Sequence, residues 1–185
     1  FEDAGQARRE LFALDHIQDV SLIKDENKYP NYVPVGTKRG YRIEAYDTAH
    51  LSGTNAIGVM TVLIDGAPAK KEYRTFRIRG ITKNDDIASL REILSRRLNH
   101  LEWQYPSAIV VDGGKAQKKA AESVLKEEGV AIPVVAVVKD ERHRPREVIG
   151  ARAGGISESD AVLANAEAHR FSLASHRKAR SRLVY

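Results

Sequence analysis

The 185-residue sequence contains no cysteine. That absence excludes disulfides and thiolate-bound metals, and it fits a reducing compartment. No apolar run approaches the roughly 20 residues needed to span a bilayer, and the polar, acidic start is unlike a signal peptide. The chain therefore reads as soluble and cytoplasmic, with no membrane partner. Internal repeats and low-complexity tracts are missing too. A chain whose first residue is Phe1 is expected to be a piece of something longer. A nucleotide-phosphate loop is also lacking. "VVDGGKAQ", residues 110–117, superficially resembles one, but such a loop needs Gly-x-x-x-x-Gly-Lys-Ser/Thr to curl several backbone amides around an anion. Only Gly113 and Gly114 precede Lys115, and Ala116 stands where a magnesium-binding hydroxyl belongs.

The last thing lacking is acid at one end. From His169 to Tyr185 there are five basic residues (Arg170, Arg177, Lys178, Arg180, Arg182) and no Asp or Glu, giving +5. Residues 1–28 hold seven acids against four Lys/Arg, giving −3. A basic end opposed to an acidic start suggests a polyanion at one end and a protein partner at the other. A solvated helix tail has the same composition.

What is present divides into three parts. Residues 1–28 carry Leu11, Leu14, Ile17 and Val20 at helical spacing and predict an amphipathic helix. Residues 29–40, with Pro30, Pro34, Gly36 and Gly40, predict a linker. From Tyr41 to Tyr185 the length suits one domain of the usual roughly 100–200 residues. In that domain "YRIEAYD", "AIGVMTVLI" and "KEYRTFRIRG" predict three strands, with Asp65-Gly66 starting a hairpin turn. "DDIASLREILSRRLNHL" predicts a helix with Asp85 or Asp86 at its start, where a carboxylate suits the helix dipole. A buried strand "SAIVVD", a helix ended by Gly129, a buried strand "IPVVAVVK" and an Ala-rich helix over 157–180 follow. Between the last two, "DERHRPREVIGARAGGISESD" gives no clear pattern.

Short turns make the first three strands antiparallel, and helical crossovers make the later ones parallel. An α/β fold with a mixed five-stranded sheet flanked by helices results. That is the arrangement of ribonuclease H-like proteins, and other α+β sheets meet the same pattern.

Asp112 closes the fourth of these strands, at the carboxyl end where open α/β sheets bind ligands. If the first strand is its parallel neighbour, Asp47 ends beside it, about 4.8 Å away, and the two carboxylates can share a divalent cation. Either one alone would pass as a turn residue. On the last helix, Val162, Ala166, His169 and Leu173 form one stripe at about 100° per residue, so His169 is expected to face the sheet, half-buried. It is either a core histidine with a satisfied hydrogen bond or the third member of the site. In the second case Arg170, His176 and Arg177 lie beside it, where a phosphate backbone can run. Two carboxylates and an imidazole without sulfur favour Mg²⁺ or Mn²⁺, and the chemistry implied is phosphodiester hydrolysis on a nucleic acid.

"IEAYDTAHLSGT", "KKEYRTFRIRGITKNDDIASLREILSRR", "AIVVDGGKAQ" and "EAHRFSLASHRKARS" occur in that order. Together they resemble the C-terminal, ribonuclease H-like endonuclease half of the UvrC family, over nearly the whole chain. "FEDAGQARREL" resembles the end of that family's UvrB-binding UVR motif. The resemblance implies a metal-dependent endonuclease making the 5′ incision in damaged double-stranded DNA during bacterial nucleotide excision repair, with UvrB as partner. Its catalytic Asp-Asp-His set falls on Asp47, Asp112 and His169, and a further functional aspartate falls on Asp86, which is equally suited to be a helix cap. Lys115 then starts a helix near the DNA or is a surface lysine; Lys178 belongs with Arg170, His176 and Arg177 as candidate DNA contacts. The family's GIY-YIG nuclease and helix-hairpin-helix pair have no counterpart in the sequence, so weak DNA affinity is expected. The rival expectations are another ribonuclease H-like nuclease, such as a resolvase or RNA-hybrid hydrolase, and a DNA- or UvrB-binding module with a lapsed site. Retention of all three site residues argues against the second.

Overall fold

A computed structural model describes residues 41–50, 56–78, 85–140, 142 and 145–181, without the side chains of 49, 50 and 178–181. The helix expected over 1–28 and the linker over 29–40 lie outside the described residues.

Alternation of apolar and polar residues sets the first strands. β1 (Arg42–His50) and β2 (Ala56–Ile64) pair antiparallel. Asp65 and Gly66 both take positive φ, 50° and 74°, as a tight Asp-Gly hairpin turn requires, and β3 (Ala67–Pro68) returns briefly along β2. The third expected strand starts later than its sequence suggests. Lys70–Glu72 form a 3-10 turn, and β4 (Arg74–Ile78) then pairs antiparallel with β2. Next come α1 (Asp86–Leu98), β5 (Ala108–Asp112), α2 (Lys115–Glu127) and β6 (Val134–Lys139). β5 pairs parallel with both β1 and β6.

All five expected strands are present in the expected directions, and the sheet is larger than expected. Its order is β3-β2-β1-β5-β6-β7, with β4 also on β2. The added strand β7 (Pro145–Ile149) runs antiparallel to β6 at an edge. It escapes a sequence search because it opens on proline, tolerated at an edge, and carries Arg146 and Glu147 where a buried strand would be apolar. A short helix α3 (Ala151–Gly154) and the long α4 (Glu158–Ser181) complete the fold. No described helix is long and apolar enough to cross a membrane.

Two cores form because both sheet faces are covered. Tyr46, Met60, Val62, Ile109 and Val111 pack under α1 and α2 with Ile93, Leu94 and Val124. Ile43, Ala45, Val110, Val135 and Val137 pack under α4, which presents Ala161, Ala164 and Ala168. Such small residues let a long helix lie close to the strands. A second close approach is at Gly58 on β2, where a Cβ would stand 2.0 Å from Ile93 Cδ1 of α1. Charges also lie inside: Glu44, fully buried, accepts hydrogen bonds from the buried Arg42 and Arg97 and from the Tyr46 hydroxyl.

Candidate active site

The parallel register of β1 and β5 pairs Ala45 with Val110 and Tyr46 with Val111, so the next residues, Asp47 and Asp112, stand side by side where that ladder ends, Asp47 still paired with Val59 of β2 and Asp112 with Val137 of β6. Both share the face of Ala45 and Val110, beneath α4. One ligand atom each from Asp47, Asp112 and His169 lie within 4.8 Å of one another. His169 Nδ1 is 3.3 Å from Asp47 Oδ2. The side chains are 11 % (Asp47), 23 % (Asp112) and 49 % (His169) exposed, so the carboxylates are recessed and the imidazole sits at the rim.

Asp112 has two partners that the sequence reading did not select. Lys139 Nζ donates to its Oδ2 at 2.9 Å, and Asn165 Nδ2 donates to its Oδ1 at 3.5 Å. Both had a signal available: Lys139 closes β6 as Asp112 closes β5, and Asn165 stands one helical turn before His169. Asn165 is 2 % exposed and its Oδ1 has no hydrogen-bond partner. A buried amide acceptor left over beside two carboxylates and an imidazole suits a divalent cation with its water shell. The donor set, oxygen and nitrogen without sulfur, is that of a hard or borderline ion. Asp47 raises the pKa of His169 by accepting its hydrogen bond, while partial burial and the Lys139 ammonium pull it back.

The aspartates of "NDD" divide their work. Asp85 is the N-cap of α1, its carboxylate accepting the Ala88 N–H at 2.9 Å. Asp86 accepts from the Thr48 hydroxyl at 3.2 Å. With Asp47, Asp112, Thr48 and Gln117 it lines a cleft of about 110 Å³. After Asp112 the chain turns at Gly113, whose φ of 130° excludes an ordinary side chain; a Cβ would also meet the Gln117 side chain at 2.6 Å. Gln117 in turn accepts the Gly114 N–H.

The expected nucleic-acid contacts are placed less uniformly. Lys115 is exposed in the first turn of α2, and Arg177 is exposed on α4. His176 is half-buried, and the Lys178 side chain lies outside the described residues. Arg170 donates to Glu167 at 2.8 Å. Glu167 is fully buried and also accepts the Tyr73 hydroxyl at 2.6 Å. The expected stripe on α4 is corrected as well. Its buried face runs through Ala161, Val162, Ala164, Asn165, Ala168 and Ser172, so of the expected stripe Val162 is buried, whereas Leu173 is 49 % exposed. The small residues select that face because they allow the closest approach, and His169 rides its edge.

Comparisons with known proteins bear on the fold and the family. A structure of a Ciona intestinalis endonuclease V variant, in complex with a 23mer DNA containing an inosine followed by a ribo-adenosine, superposes with a TM-score of 0.51. The match is at 10 % identity and covers 80 % of this chain and 91 % of that one, a likeness of fold. In sequence, the UvrABC system protein C of Streptococcus equi subsp. zooepidemicus is 36 % identical over 163 residues, 82 % of this chain. Its counterpart in Streptococcus uberis is 35 % identical over 156 residues, 78 % of this chain. The chain spans about a quarter of these relatives' length, 27 % and 26 %. A family profile for the UvrC RNase H endonuclease domain matches residues 35–183. By that profile, this chain belongs to the UvrC RNase H endonuclease domain family.

Proposed function

We propose that the domain cuts damaged double-stranded DNA on the 5′ side of a lesion in bacterial nucleotide excision repair, using Mg²⁺ or Mn²⁺ held by Asp47, Asp112 and His169. The convergence of those three groups within 4.8 Å carries the proposal. When bound, the cation supplies a Lewis acid for the phosphoryl oxygen and lowers the pKa of a water. The chain's own groups do the rest. Asp47 and Asp112 fix where the scissile phosphate must come, and their recess below the rim limits competing water. His169, when neutral, ligates or accepts a proton at the rim. Asp86, across the cleft and steadied by Thr48, orients water toward the same point.

Lys115, His176, Arg177 and Lys178 hold phosphates, and Arg170 joins them only if it leaves Glu167. In this reading residues 1–28 are the end of a UvrB-binding segment, 29–40 a linker and 41–185 the nuclease, acting in the cytoplasm. The test is single-turnover cleavage of a nicked, lesion-bearing duplex with Mg²⁺. Asp47→Asn and Asp112→Asn should each abolish incision and leave DNA binding largely intact. Incision by both variants at the wild-type rate would overturn the assignment. Cleavage of an RNA–DNA hybrid in preference to the damaged duplex would favour a different nuclease of the same fold.

A further inference from the structure

We propose that the β6–β7 hairpin is a second nucleic-acid contact, in which Arg142 and Arg146 hold backbone phosphates of the strand lying across Asp47 and Asp112. The identity of that strand rests on the nuclease reading above. The hairpin leaves the sheet at the end where both aspartates lie, and its base touches the site: Lys139 Nζ is 2.9 Å from Asp112. Residues 139–146, "KDERHRPR", hold four Lys/Arg and two acids, a net +2. One of those acids, Asp140, accepts the Arg142 backbone N–H at 2.8 Å.

Several other arginines and lysines among the described residues are paired: Arg91 with Glu127, Arg96 with Glu92, Lys118 with Glu122 and Arg170 with Glu167. Arg142 and Arg146 are exposed and have no ion-pair partner among the described residues. Arg146 is also the extra residue of an irregularity, between the Val138–Glu147 and Lys139–Pro145 pairs. Such a bulge beside a site commonly re-aims a side chain.

The topology gives the contact a position. Phe171 of α4 packs on Ile57 and Val59 of β2, so the basic end of α4 lies beyond β2, on one side of the β1–β5 site. The hairpin lies on the other. From β5 to β7 is two strand spacings, about 10 Å. Phosphates of one strand advance about 3.4 Å per nucleotide along a duplex. The hairpin therefore reaches the phosphate about three nucleotides from the incised bond.

The experiment uses the whole chain with Arg142 and Arg146 both replaced by alanine, and a fluorescein-labelled nicked duplex in cation-free buffer. Two lost phosphate contacts should make the slope of log affinity against log salt shallower by about 2 and weaken binding roughly tenfold at low salt. Mn²⁺ affinity measured by calorimetry without DNA should stay unchanged. A neutral methylphosphonate about three nucleotides from the cut should weaken wild-type binding and leave the double variant unaffected. A wild-type salt slope in the variant overturns the proposal, as does an equal methylphosphonate penalty in both proteins. Failure of the nuclease reading looks different: the wild-type chain would bind the duplex but neither bind Mn²⁺ nor cut, while the salt slopes would still judge the hairpin.

Discussion

Asp47 and His169 face each other across a proton that a divalent cation must displace. Because Asp47 raises the His169 pKa above the ordinary value of about 6.5, the cation-free protein keeps this proton to higher pH than a free imidazole would. The pair's contribution to folding is thus complete below about pH 6.5 and is lost as pH rises through the raised value. With His169 half exposed, that contribution is small. Cation binding has the opposite requirement, since only the neutral ring ligates. Mn²⁺ uptake near pH 6.5 should therefore expel protons, and incision should increase as pH rises through the same range. Calorimetry in buffers of different ionisation enthalpy measures the release; His169→Gln should abolish it. Equal proton counts in the two proteins would remove His169 from the site. His176→Ala, further along α4, should cost affinity and leave the maximal cleavage rate. At this scale the carboxylates were legible because each follows an apolar strand run in the sequence and a parallel register aligns them, although β1 itself runs on past Asp47 to His50. Lys139 and Asn165 were passed over, because their places at the end of β6 and one turn before His169 gain meaning only from their distance to Asp112.

Among the elements, α1 and α4 hold the sheet from opposite sides, and each has one tight contact. Gly58→Ala should drive a methyl into Ile93 and cost about 1–3 kcal/mol in urea unfolding. Ile93→Val in the same chain should recover part of that loss, whereas an additive penalty would mean the contact is not the cause. On the other face, Tyr73→Phe removes the phenol that burial and Glu167 keep protonated. Loss of a hydrogen bond to a charged group costs about 1.5–3 kcal/mol, and the cost should appear as earlier thermal unfolding. The long helices were readable from spacing and caps. β7 and α3 were not: one is a charged edge strand opened by proline, the other a single turn between glycines at φ 90° and 65°. Leu173 misled because helical spacing put it on the stripe of Val162 and His169, while closeness of approach turned the small residues to the sheet instead.

At the scale of the whole molecule, the basic end of α4 should govern salt dependence together with the hairpin. Replacing Arg177 and Lys178 with alanine is expected to weaken DNA binding across sequences and flatten its salt slope by about 2; an unchanged slope in anisotropy titrations would place the DNA elsewhere. The sheet's directions were recoverable from connection lengths alone, because short turns and helical crossovers leave few alternatives. α4 also fixes an order of events. His169 meets Asp47 across 122 residues of chain, so both aspartates are synthesised well before their imidazole. A growing chain, emerging N-terminus first, can complete its sheet and still lack the third side of the pocket. Latency during synthesis is thus built into the chain's linear arrangement: the capacity to cut arrives only when the last described helix lies down on the sheet.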